Sequence, residues 1–141
     1  FTQCSEAEKV VLLKTNYVEI TLHNPGNYLI VIWLRPVLSH EYKYGIDTAG
    51  HILLAKQVEK LLVNNQRMGV LTMKDQGWLA ETSIRVISKS NLRRLAIISS
   101  TDFLQQYTNE KLDARVKAST PYFDTQYFLS ERVGLEWMLE A

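Results

Sequence analysis

Cysteine is nearly absent from this chain: Cys4 is the only one in 141 residues. A lone cysteine excludes an internal disulfide and any Cys-x-x-Cys metal or redox motif, and a reducing, cytoplasmic setting is the expectation. No apolar run approaches the roughly 20 residues needed to span a bilayer, so no transmembrane segment is expected. Neither sign of charge dominates, since the formal net charge is +1. Bulk electrostatics therefore favours neither nucleic acid nor a charged membrane surface as partner. The six glycines are scattered, and none belongs to a phosphate-cradling loop. No Gly-x-Ser-x-Gly elbow occurs, and Cys4 sits in what reads as a frayed arm over residues 1–8, a poor setting for a nucleophile. The first nine residues are polar and acidic, without the apolar centre of a signal peptide. Phe1 is not a methionine, which leaves open a leader removed ahead of it.

What is present fits one ordinary globular domain spanning residues 1–141, because a chain of this length can build one real core and not two. The stretch Tyr28–Arg35 is a near-continuous apolar run, rich in β-branched and aromatic side chains, and predicts a strand covered on both faces. Upstream, Val10–Leu13 suits a short edge strand. Tyr17–His23 alternates, with Val18, Ile20 and Leu22 on the buried side. Asn24–Asn27 is a turn, since Pro25 fixes φ and Gly26 permits positive φ, so the two runs form a hairpin.

Pro36 stops the central strand. Ser39 suits an N-cap with Glu41 in the first turn, and Tyr42, Ile46, Ala49 and Leu53 make one stripe of an amphipathic helix. That stripe loses phase near Lys56–Gln57. The stretch from Val58 to Asn64 could continue the helix, but a new strand centred on Leu61–Val63 is preferred. Thr72–Asp75 resembles a capping box and opens a helix with Trp78, Leu79, Thr82 and Val86 on one face. Asn91 suits a left-handed C-cap. Leu92–Ser100 holds a further buried strand, and Phe103–Val116 is the best helical candidate in a weakly periodic segment. Gln126–Phe128 ends a last strand, and Ser130 caps a helix carrying Val133, Trp137 and Met138. The expected fold is α/β: a mixed sheet of about four to six strands with an N-terminal β-hairpin and helices packed on it.

Several stretches resemble the SpoIIAA-like branch of the STAS superfamily, in particular bacterial members labelled STAS/SEC14-like. They are Tyr28–Trp33 followed by Glu41–Tyr42 and Gly45, then Leu62–Asn65, Asp75–Glu81, Asn91–Ala96, Phe128–Glu131 and Leu135–Met138. The resemblance implies a SpoIIAA-like fold and a non-catalytic interaction or regulatory module. It departs at one place. Phosphorylatable STAS domains carry an Asp-x-Ser or Asp-Ser-Ser loop after a central strand, whereas this loop is Asn64-Asn65-Gln66-Arg67. With no hydroxyl there, the phosphorylation switch is not carried over.

Ligands in parallel sheets tend to bind outside the carboxyl ends of strands. Arg35, Asn64, Asn65, Arg67, Ser100, Thr101 and Asp102 are expected to gather there, where Arg67 could grip a carboxylate or phosphate. The plainer reading is that Asn and Asp cap the following turns. No catalytic residue and no cofactor is predicted. His23, His40 and His51 fit no metal-ligand spacing and read as surface histidines, so no metal is expected either. Lys89, Arg93 and Arg94 read as a solvated strand entrance rather than a nucleic-acid site. The crowding of Tyr122, Phe123, Tyr127 and Phe128 predicts that at least some of these rings stay outside the monomer's core and that a homodimer buries part of the Tyr122–Phe128 region. Two functions follow. The first is an interaction module working through a protein partner or self-association. The alternative is a small-ligand or lipid-binding domain, which a pocket lined by Trp and Tyr would favour.

Overall fold

The computed structural model describes residues 8–101, 103–120 and 123–140, with residues 103–109 as backbone only. Six strands lie in the sheet in the order in which the chain makes them. They are β1 (Glu8–Lys14), β2 (Val18–Asn24), β3 (Tyr28–Trp33), β4 (Lys60–Asn64), β5 (Arg94–Ile98) and β6 (Asp124–Phe128). The helices are α1 (Ser39–Ala55), α2 (Met73–Ile87), α3 (Phe103–Ser119) and α4 (Glu131–Met138). The first three strands pair antiparallel, and β3 to β6 pair parallel. The sequence expectation of a mixed sheet behind an N-terminal hairpin is met, with Leu61–Val63 as a strand and Val31 opposite Val63.

Alternation splits the sheet into two apolar faces. Val18, Ile20, Leu22, Leu29, Val31 and Trp33 point to the side that α1, α2 and α3 cover, and they form the larger core. Ile30, Leu62, Ala96 and Ile98 point the other way and meet Met138, Leu135 and Trp137 of α4. Strands β3 to β5 are therefore clad on both sides, which explains their unbroken apolar runs. Helix α4 comes close because Gly134 faces the sheet, where a Cβ would lie 2.5 Å from Ile98 Cδ1.

Local chemistry explains the helix ends, with two corrections to the sequence reading. Thr72 caps α2, accepting from the Asp75 N–H at 3.1 Å, and Ser130 caps α4, accepting from the Val133 N–H at 3.4 Å. Ser39 does not cap α1. Leu38 holds that position, and its N–H donates to the Glu41 carboxylate at 3.0 Å. The Ser39 hydroxyl instead donates to Asp75 at 2.7 Å and ties α1 to α2. Asn91 is not a left-handed cap. Helix α2 has already ended at Ser88, and the Ser90 hydroxyl closes the turn by donating to the Ile87 carbonyl and accepting from the Leu92 N–H. Positive φ falls instead on Asn27 and Gln57, besides Gly26 and Gly69.

Trp33 is 1 % exposed, and its indole lies against Gly45 and Tyr42. A Cβ on Gly45 would sit 2.6 Å from the indole Cη2. A fused ring held between two elements cannot swing aside as an isoleucine methyl can. Gly45→Ala should therefore cost about 1–3 kcal/mol. Gly77, with no atom within 4 Å of its would-be Cβ, is the control, and Gly77→Ala should stabilise by roughly 0.5–1 kcal/mol. Urea denaturation of the two variants checks the pair, and equal effects would contradict the packing argument.

Candidate functional site

The carboxyl ends of β3, β4 and β5 do lie along one edge, yet their polar side chains are largely engaged with the protein itself. Arg35 forks onto Glu41, with Nη2 2.9 Å from Oε2 and Nη1 3.2 Å from Oε1, and its guanidinium lies over the Tyr17 ring. The Arg35 hydrogen bond holds the Glu41 carboxyl below the usual range. Asn64 donates to Glu131 at 2.9 Å and accepts from the Gln66 N–H, so it joins the β4 loop to α4. Gln66, at the place a phosphoacceptor would take, donates to the Leu129 carbonyl. Asn65 is buried, Ser100 half-buried, and Arg67 and Thr101 are exposed. Asp102 lies outside the described residues. Arg35, the charged member nearest the central strand, thus braces α1 and is not an open ligand grip.

The aromatic cluster also departs from expectation. Phe123 is 2 % exposed and belongs to the larger core. Phe128 packs beneath Trp137 at 5.8 Å between centroids. Tyr127 is half-buried and faces Asp113 and Glu110 from edge strand β6; burial first, then those acids, pushes its hydroxyl above the ordinary tyrosine range. Tyr122 lies outside the described residues. Phe123 enters the core just before β6 and α4 covers one face of that strand, while Tyr127 and Phe128 stay partly exposed.

A part-open cavity of about 160 Å³ lies between the sheet and helices α1, α2 and α3. Val31, Leu61, Val63, Leu95 and Ile97 form its floor; Trp33 and Tyr42 stand at one end, and Phe123 and Asp113 belong to its lining. Helices supply Leu53, Leu79, Val86 and Val116, along with the hydroxyls of Thr82 and Ser83. Tyr42 is fully enclosed, and burial raises its hydroxyl pKa, with Asp75 adding to the effect. Asp113 is the one charged side chain in the lining among the described residues. Burial lifts its carboxyl above the ordinary aspartate range, against opposing pulls from Thr125 and Lys117. The Lys117 ammonium is turned to the Phe123 carbonyl and the face of that ring.

Two other features are weaker candidates. A recess at the opposite edge mixes Lys60, Arg93, Asp124 and Glu140, and Arg94 there is already bonded to the carbonyls of Trp137 and Glu140. His23 stacks on Tyr28 at 4.8 Å and shares a hydrogen bond with Thr21, while burial and Lys9 lower its pKa. No group of three potential metal ligands occurs among the described residues. No helix among them is long and apolar enough to cross a membrane.

The architecture has a counterpart of known structure. The chain is similar to an uncharacterized protein of the DUF3478 family from Shewanella loihica PV-4, whose crystal structure is described as having a SpoIIAA-like fold. The match covers 98 % of this chain and 99 % of that one, with a TM-score of 0.57 and 14 % identity. The fold is SpoIIAA-like. No family model matches the chain, and neither does any curated protein. The SpoIIAA-like sheet thus meets the expectation drawn from Tyr28–Trp33, Leu62–Asn65 and their companions.

The part-buried acid generates a test. Asp113 has a raised pKa in the folded chain, so between its unfolded value near 3.9 and the folded value the native state binds more protons than the unfolded state. Its contribution to stability is present below the unfolded pKa and is lost as pH rises through the folded one. Asp113→Asn should flatten that fall. Thermal denaturation of both proteins between pH 3.5 and 7 checks it, and parallel pH curves would remove the acid from this role.

Proposed function

We propose that this SpoIIAA-like domain is a non-catalytic binding domain that holds a small, largely apolar molecule between its sheet and helices α1 to α3. The observation that carries the reading is the cavity of about 160 Å³, floored by strand residues and ended by Trp33 and Tyr42. Ligand sites are typically concave, mostly apolar and furnished with a few polar groups, and this lining has that makeup. Energetics points the same way. A part-open apolar recess offers water few hydrogen-bond partners along its walls. An apolar occupant of matching shape gains dispersion contacts along that lining.

An apolar cavity of roughly 150 Å³ admits a single benzene-sized ring, so benzyl alcohol is a suitable neutral probe. Ala49 lines the cavity from α1 and is nearly buried. Ala49→Leu should fill part of the space, raise stability by about 1 kcal/mol, and remove the benzyl alcohol-induced rise in Tm seen with the parent chain. Differential scanning calorimetry with and without the probe measures both effects. A parent chain whose Tm ignores the probe, or a variant that responds equally, would sink this reading.

A protein-interaction role rests on a separate feature. Edge strand β1 exposes Val10, Val11 and Leu12, and an unpaired edge can accept another strand. Lys9 and Lys14 near its ends, and the irregular register between Val11 and Leu13, are devices that discourage such pairing. The cavity is therefore the better-supported site.

A further inference from the structure

Asp113 gives the cavity a chemical preference. Apart from this carboxylate the described lining is apolar or neutral: Leu112 and Val116 flank it on α3, and Ile97 belongs to the opposing floor. No ion pair reaches Asp113 among the described residues. Lys117, one turn further along α3, bonds the Phe123 carbonyl and lies over that ring, and acts on Asp113 only through the electrostatic field. Thr125 stands beside Asp113 from β6, and Glu110 and Tyr127 contribute no positive charge nearby. An ionised carboxylate facing an apolar space is costly until it acquires a hydrogen-bonded counter-charge. The space beside it is large enough for one ring.

We propose that the cavity takes a small apolar molecule carrying one primary amine, with the ammonium held by the Asp113 carboxylate and the hydrocarbon body on the floor of β3, β4 and β5. The proposal rests on the ligand-binding reading above and adds the chemistry of the head group. An ammonium supplies three donors to a carboxylate acceptor. A ligand carboxylate of the same size would meet like charge in a desolvated place. The raised pKa of Asp113 describes the empty cavity, and an ammonium bound there should draw it back down.

Three ring compounds of nearly equal size separate the possibilities: benzylamine, benzyl alcohol and benzoate, titrated at pH 7 and followed by ¹H–¹⁵N NMR. Benzylamine should bind at least about tenfold more tightly than benzyl alcohol, a difference near 1.4 kcal/mol, and benzoate should not bind. The amides of Leu112 to Val116 and of Thr125 should shift most. In Asp113→Asn the amine advantage should collapse to within about threefold while benzyl alcohol binds as before. Failure of all three compounds to bind overturns the ligand-binding reading itself. Binding of benzyl alcohol or benzoate as tight as that of benzylamine overturns only the amine preference. An amine preference unchanged in Asp113→Asn, or amine-induced shifts confined to exposed acids such as Asp47 and Glu81, also overturns it. Should Asp113→Asn not fold, the ranking of the three compounds and the location of the shifts in the parent chain still decide the matter.

Discussion

The chirality of the βαβ connection governs this molecule. A strand–helix–strand crossover between parallel strands is right-handed in nearly every case. Here β3, β4, β5 and β6 are laid down side by side in one direction, so three successive crossovers of one hand must put α1, α2 and α3 on the same face. The core composition agrees, since residues of those three helices share one apolar cluster with the sheet. Strands β3 to β5 are apolar on the other face too, and α4 is the helix left to cover it. That is why an eight-residue helix carries a glycine against the sheet and two aromatic or sulfur-bearing side chains, Trp137 and Met138, in so short a span.

The same crowding makes the cavity. Three helices in a row must share one twisted sheet face, and the spacing of the first is set by Trp33. Its indole stands between β3 and α1 where Gly45 leaves room for it, and Tyr42 closes one side at 5.2 Å between rings. At the far side, α3 offers Leu112 and Val116 to the sheet, with Asp113 between them. Filling the remaining space would need larger side chains at Ala49, Thr82 and Ser83, where the chain instead carries small ones. The cavity is thus written into residue size at particular helix positions.

Much of the fold was legible in the sequence, and the reasons are specific. Tyr28–Trp33 and Leu61–Val63 are apolar on both faces because they are clad on both faces, and Thr72 and Ser130 cap helices through contacts three residues away. What depends on distance along the chain was not legible. The role of Ser39 is decided by Asp75, 36 residues on. The fate of Phe128 is decided by Trp137 on a different element. The cavity floor consists of Val31, Leu61, Val63, Leu95 and Ile97, which as sequence are indistinguishable from ordinary core. A faint signal did exist for Asp113: it falls between Leu112 and Val116, an i, i+4 apolar pair, in a segment otherwise poor in apolar residues.

Arg35 and Asp113 show how charge misleads when it is read without neighbours. Arg35, beside the central strand at the edge where ligands are expected, is one of the residues the sequence marks for a ligand, whereas Asp113 is not. Its guanidinium is nevertheless satisfied: Glu41 accepts both arms of the fork, and the Pro36 carbonyl takes a further bond at 2.8 Å. A ligand anion would have to displace a carboxylate already held bidentately. Asp113, on the polar helix α3, is partly buried beside the cavity and forms no ion pair among the described residues. Charge recognises a partner only where the fold has withdrawn water without supplying a replacement. By that criterion the acid, on which burial outweighs the pulls of Thr125 and Lys117, is less fully satisfied than the bidentately paired arginine.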